Sequence, residues 1–180
     1  MIDEKEFIKE LLNPETQNTA FQKLLSDYQR PLYSHIRNIV LNHDDADDVL
    51  QNTFVKVFQN LKNFKGESKL FSWMYRIATN EALTFLSQKA KLSGISSEDL
   101  QNKTIDNLKA DLYFDGDEIQ IKLQKAIVTL PEKQQLVFKM KYFEELKYEE
   151  IAEILGTSVG ALKASYHHAV KKIELYVTSN

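Results

Sequence analysis

Apolar residues recur along this chain at spacings of three and four, the pattern of helices that bury one face. Phe7, Ile8, Leu11 and Leu12 form a short first stripe, and Pro14 ends it. A longer stripe follows at Phe21, Leu24, Leu25, Tyr28, Leu32, Ile36, Ile39 and Val40. Pro31 interrupts it and predicts a kink or a break. Val49, Leu50, Thr53, Phe54, Val57, Phe58 and Leu61 predict a third helix, unbroken over about four turns. A fourth begins near Ser68, a natural cap, and runs to about Lys91, with Phe71, Met74, Tyr75, Ala78, Ala82, Phe85 and Leu86 on its core face.

Periodicity then lapses. Residues 92–117 are rich in Ser, Asp, Asn, Lys and Gly, which predicts a linker with at most a transient turn near residues 107–113. Helical spacing returns at Ile119, Leu123, Ile127 and Leu130, and Pro131 opens a helix over residues 134–143. The last two helices are expected at 148–155 and 159–177. The fold class is therefore all-α. Two small helical domains, an N-terminal helical bundle (residues 1–91) and a C-terminal helix-turn-helix domain (residues 119–180), are joined by a flexible acidic linker (residues 92–118).

The C-terminal pair has the punctuation of a helix-turn-helix. Gly156 suits the left-handed position that ends one helix, and Ser158 suits the cap of the next. Leu162, Tyr166, Ala169 and Ile173 face the core of the final helix. Its opposite face carries Gly160, Lys163, Ala164, His167, His168 and Lys171, the surface that enters the major groove in DNA-binding proteins of this type. Spacing alone also admits an αα-hairpin that serves only as packing.

Charge sharpens this picture. The 180 residues sum to a net charge of −3, low for a stand-alone nucleic-acid binder. Yet residues 62–91 hold six cations against two acids, and residues 156–173 hold three cations and no acid, while seven acids against two lysines fill 92–118. Such a chain binds DNA weakly alone and needs a partner to supply the remaining affinity. There is no cysteine, so disulfides and thiolate metal sites are excluded. No apolar run reaches the length of a membrane span and no signal-peptide core is present, so a cytoplasmic protein without membrane insertion is expected.

One segment stands out chemically. Residues 64–80 interleave aromatics with cations and small polar groups, starting in a loop at Gly66 and running into a helix. Trp73, Arg76 and Asn80 lie off the apolar stripe, on a face where packing gives a Trp little reason to be. Phe64, Lys65, Ser68, Lys69, Trp73, Arg76 and Asn80 could together hold an unstacked nucleic-acid strand, with π-faces for bases and cations for phosphates. A second cluster, Asp44, Asp45 and Asp48, has the spacing of Mg²⁺-binding aspartates. It lacks an opposing acidic cluster, and acids at a helix start more simply satisfy free N–H groups and the positive end of the dipole. No catalytic residue, cofactor or metal is assigned, and an enzyme is not expected.

Residues 64–80 resemble the promoter-melting segment of bacterial sigma factors of the extracytoplasmic-function (ECF) group, of the sigma-70 superfamily. Phe64, Gly66, Ser68, Phe71 (one residue late), Trp73, Tyr75, Ile77, Ala78 and Asn80 fit that pattern. The resemblance extends from about Phe21 to Ile173 and includes the helix-turn-helix from Tyr148 to Gly156. It implies a factor that directs core RNA polymerase to promoters and aids DNA melting during initiation. By the same resemblance the N-terminal domain melts the −10 element, and Ser158 with the exposed face of the final helix reads the −35 element. The implied partners are core polymerase (its clamp helices and flap), promoter DNA and an anti-sigma factor. Asp47, Asp48, Gln51, Phe54, Val55 and Phe58 are the implied polymerase contacts, and Asn52 stands where the family usually has Glu. Ser165, His168 and Val170 replace frequent arginines, which predicts an A/T-leaning or weakly specific −35 site. The rival readings are a helix-turn-helix regulator that never joins polymerase and a decoy that binds polymerase or an anti-sigma factor without melting DNA.

Overall fold

The structure, a computed structural model, describes residues 3–179. Among them are nine α-helices and no strand. The first four are α1 (Glu4–Leu12), α2 (Gln17–Val40), α3 (His43–Asn60) and α4 (Leu70–Ser93). Their stripes meet in one core, with Leu11, Leu24, Leu32, Ile36, Val57, Met74, Ala78 and Ala82 essentially inaccessible. Pro31 does not break α2, which is helical throughout. Leu24, Leu32 and Ile36 on either side of it are fully buried, so packing carries the helix across the missing hydrogen bond.

The segment read as a flexible linker with at most a transient turn is largely structured. It forms α5 (Ser97–Asp106) and a 3₁₀ turn (Leu108–Ala110). Ser96 caps α5 by accepting from the Asp99 N–H at 3.0 Å. Ile105 and Leu108 are buried against Leu41, at the end of α2, and Val128. Asp111 forms an ion pair of 2.7 Å with Arg37, whose guanidinium also donates to the Leu41 carbonyl. Local composition signals a loop, but these partners lie far away in sequence and override it.

The C-terminal helices are α6 (Glu118–Val128), α7 (Glu132–Tyr142), α8 (Tyr148–Leu155) and α9 (Val159–Ser179). Ala126, Ile127, Leu130, Phe138, Ala169 and Ile173 form a core of their own. The two ends of the chain are nonetheless packed together. Leu136, Val137 and Met140 of α7, Ile151 and Ile154 of α8 and Leu162 of α9 join the same buried cluster as α2, α3 and α4. At this junction His35, 1 % exposed, bonds through Nδ1 to Glu144 at 2.9 Å and through Nε2 to the Thr79 hydroxyl at 2.8 Å.

Lys139 of α7 is 2 % exposed, and burial pushes its pKa down from 10.5 to about 8, against a smaller opposing pull from Glu144. Between these values the folded chain binds fewer protons than the unfolded one, so stability rises as pH is raised from 8 towards 10.5. Below pH 8 the buried charge costs on the order of 3 kcal/mol. Lys139→Met is expected to raise the unfolding midpoint at pH 7 and to flatten the pH dependence of denaturant unfolding between 8 and 10.

Candidate nucleic-acid interface

Helix α4 sets the site. Its buried stripe (Leu70, Met74, Tyr75, Ala78, Ala82, Leu86) fixes the rotation of the helix, and that rotation leaves Arg76 and Asn80 exposed. Trp73 is half-buried and leans on Phe64, with ring centroids 5.0 Å apart. Phe64 itself is buried, so it supports Trp73 instead of offering a free face. Beside Trp73 opens a groove of about 480 Å³ lined by Lys56, Asn60, Asn63, Trp73, Asn80 and Glu81. Lys56 and Glu81 are ion-paired across it. Three carboxamides, an indole and a salt bridge give this groove both a stacking surface and hydrogen-bonding edges suited to a base. Asn63 opens the loop expected to take a flipped base, whereas Lys56, Asn60 and Glu81 escaped the sequence reading because α3 and α4 meet there only in the fold.

The loop before α4 contains Gly66 at φ +71°, with Lys65 and Lys69 exposed and Ser68 half-buried. Ser68 does not cap α4: the N-cap residue is Lys69, without a side-chain cap bond. Acids from distant helices take that place. The Leu70 N–H donates to Glu4 Oε1 at 3.2 Å, and the Lys69 N–H to Glu153 Oε2 at 3.4 Å. The Arg76 guanidinium donates to the Glu153 carbonyl of α8. Tyr75, on the buried side, has its phenol pushed up by burial and, secondarily, by Glu144.

The helix-turn-helix is built as its sequence predicts. Gly156 adopts φ +63°, and the Ala161 N–H donates to Ser158 Oγ at 3.3 Å. Glu150 reaches back to the Lys147 N–H at 2.9 Å, but the ammonium of Lys147 has no lone pair to return the bond, so only half a capping box exists. Ser158, just before α9, is exposed, as are Gly160, Lys163, Ala164, His167, His168 and Lys171 on the outer face of that helix.

A third surface lies on α3. Asp48, Gln51, Val55 and Phe58 are exposed along one side, and Phe58 packs edge-on to Phe21 with centroids 5.0 Å apart. Phe54 is buried beneath this face and can only support it. At the start of α3, Asn42 caps by accepting from the Asp45 N–H at 2.9 Å, and Asp45 is paired with Lys89. Asp47 pairs with His43 at 3.4 Å, and the His43 ring stacks on Tyr113 with centroids 3.7 Å apart.

These surfaces fall inside two regions of known kind. The family model "Sigma-70 region 2" matches residues 24–92, and "Sigma-70, region 4" matches residues 120–173. The chain belongs to the sigma-70 family. It is 30% identical over 163 residues to the RNA polymerase sigma-H factor of Pseudomonas aeruginosa, covering 86% of this chain and 84% of that one. It is equally similar to the ECF RNA polymerase sigma-E factor of Haemophilus influenzae, 30% over 163 residues and 86% of each chain. Relatives of this kind place it among the ECF sigma factors, which direct RNA polymerase to promoters in transcription initiation. Two solved structures share the fold. CnrH, in complex with the cytosolic domain of CnrY, aligns with a TM-score of 0.69 at 17% identity over 98% of both chains. RpoE of Bartonella quintana, in complex with the anti-sigma factor NepR, aligns at 0.63 and 18%, over 88% of this chain and 96% of that one. No described helix of this sigma factor is long and apolar enough to cross a membrane.

Removing the α9 cap with Ser158→Ala should cost about 1 kcal/mol and lower the melting temperature by roughly 2–4 °C. Calorimetry of the variant measures it.

Proposed function

We propose a division of labour along this sigma factor. Residues 1–91 dock on core polymerase and melt the −10 element, residues 119–180 hold the −35 element, and residues 92–118 connect them. The observation that carries this reading is the Trp73–Arg76–Asn80 edge of α4 beside an open, carboxamide-lined groove. Trp73 supplies the stacking face, Arg76 with Lys65 and Lys69 the phosphate contacts, and Asn80 an edge for a base. Asp48, Gln51, Val55 and Phe58, with Asp47, form the docking face for the polymerase clamp helices; region 4 meets the flap. The factor makes and breaks no bond itself and needs no cofactor; the polymerase does the chemistry, in the cytoplasm. By analogy with the RpoE–NepR complex, an anti-sigma factor holds it in reserve.

Stacking is worth roughly 1–3 kcal/mol per base, so Trp73→Ala should reduce open-complex formation with purified core polymerase about 5- to 150-fold. Asp48→Lys should abolish binding to core. Permanganate footprinting and core-binding titration check these outcomes. DNA binding that never depends on polymerase would instead make the chain an ordinary helix-turn-helix regulator. Lys163 and Lys171 contact phosphates in this reading, and Ser165, His168 and Val170 stand where the family often has the arginines that favour guanine. Promoter selection with the holoenzyme should therefore return an A/T-leaning or loosely defined −35 element, and a G-rich consensus would exclude this reading of α9.

A further inference from the structure

A cavity of about 220 Å³ lies where α2, α4, α5, α6 and α7 converge. It shares no residue with the surfaces assigned to DNA or to polymerase. Ile39, Leu86, Val128 and Leu136 give it an apolar wall. Two of its polar residues are almost completely buried yet lack partners: Lys139 is 2 % exposed and Gln101 is 8 %. Among the described residues neither side chain makes a hydrogen bond or an ion pair, and Glu144 acts on Lys139 only through space. Their polar atoms are not sealed off, unlike Ser72 Oγ and Gln124 Oε1, and the space they open onto is this cavity. A buried ammonium without a counter-charge is costly, and a carboxylate beside it offsets that cost.

The rim carries the opposite sign. Glu98 and Glu132, in the first turns of α5 and α7, line the same cavity, are exposed to solvent, and do not pair with Lys139. Glu132 and Lys139 lie on one face of α7, with backbones about 10 Å apart along the axis. Between them Gln135 donates from Nε2 to the Val128 and Leu130 carbonyls, at 3.2 and 2.9 Å, which leaves its Oε1 as an acceptor. Donors at the buried end, acceptors at the rim and an apolar wall beside them complement a small zwitterion.

We propose that this cavity binds a free α-amino acid with a small apolar side chain. Lys139 and Gln101 hold its carboxylate, Gln135 Oε1 with Glu98 and Glu132 holds its ammonium, and Ile39, Leu86 and Val128 cover its side chain. At roughly 30 Å³ for each water-sized group, the cavity takes about seven non-hydrogen atoms, the size of valine. A plain carboxylate fits less well because both rim glutamates repel it, and a plain amine meets Lys139 at the buried end. Five helices supply the walls, so the ligand binds the folded chain alone and stabilises it.

Titration calorimetry and thermal unfolding of the full chain test this with three probes of matched shape. They are L-valine, isovalerate, which lacks the ammonium, and isobutylamine, which lacks the carboxylate. L-valine is expected to bind at millimolar concentration or below and to raise the unfolding midpoint. Isovalerate should bind roughly tenfold or more weakly, and isobutylamine not at all. Lys139→Met, expected above to be more stable than the parent, should lose L-valine binding, so that the loss cannot come from misfolding. Combining Glu98→Gln with Glu132→Gln should bring L-valine down to the affinity of isovalerate while isovalerate itself binds no more weakly. No L-valine binding to the parent chain, or binding that survives in Lys139→Met, would overturn the site. Isovalerate binding as tightly as L-valine would overturn the amino acid as its ligand.

Discussion

Helix α4 is packed from two directions, and the rest of the chain is arranged around that fact. Its apolar stripe must be covered, and α2 and α3 cover one part while α8 covers another. The same rotation that buries Met74, Ala78 and Ala82 turns Arg76 and Asn80 outward and leaves Trp73 on the boundary. The candidate edge is thus a by-product of core packing: shifting any stripe residue by one position would rotate the edge by about 100° and dissolve it. The hydrogen bonds at the start of the helix follow the same logic. Free N–H groups at a helix start require acceptors, and Glu4 and Glu153 provide them from two distant parts of the chain.

What the sequence made legible was whatever depends on near neighbours. The turn at Gly156 and the cap at Ser158 are local chemistry, and the structure has both. The stripes of α3 and α4 are local periodicity and predicted their buried faces well. What stayed hidden depends on residues far apart. Leu100, Ile105 and Leu108 are too sparse to announce a helix, and α5 becomes visible only once Leu41 and Val128 are known to lie against it. Ser68 has the right chemistry for a cap, but the helix starts two residues later, beyond its reach. Phe54 and Phe64 belong to motifs of contact, yet both are buried, because an aromatic beside a core is drawn into it unless something holds it out. The exposed members of the same motifs, Phe58 and Val55, could be told from them only by the angular position of α3 in the bundle.

The uneven distribution of charge gains meaning from this architecture. The cations of residues 62–91 and of α9 are separated by an acidic connector, and acids of α1 and α8 are spent on the start of α4. The weak intrinsic affinity for DNA expected from this charge balance would suit a subunit that must find polymerase first, since a factor that coated the chromosome by charge alone would be titrated away from its enzyme. Burying Lys139 and the Glu144–His35 pair where the two ends of the chain meet follows a similar pattern. Polar groups at a junction weaken it relative to an apolar seam.

The stack of Tyr113 on His43 places one more constraint on the chain. His43 is held by the Tyr33 hydroxyl at 2.6 Å and by Asp47, and on its ring rests a residue of the connector. The connector is therefore moored at the start of α3. A basic group that captures Asp47 also removes the carboxylate partner of the imidazole beneath Tyr113. One imidazole thus joins α2, the start of α3 and the connector, so that a change at any of the three contacts reaches the other two.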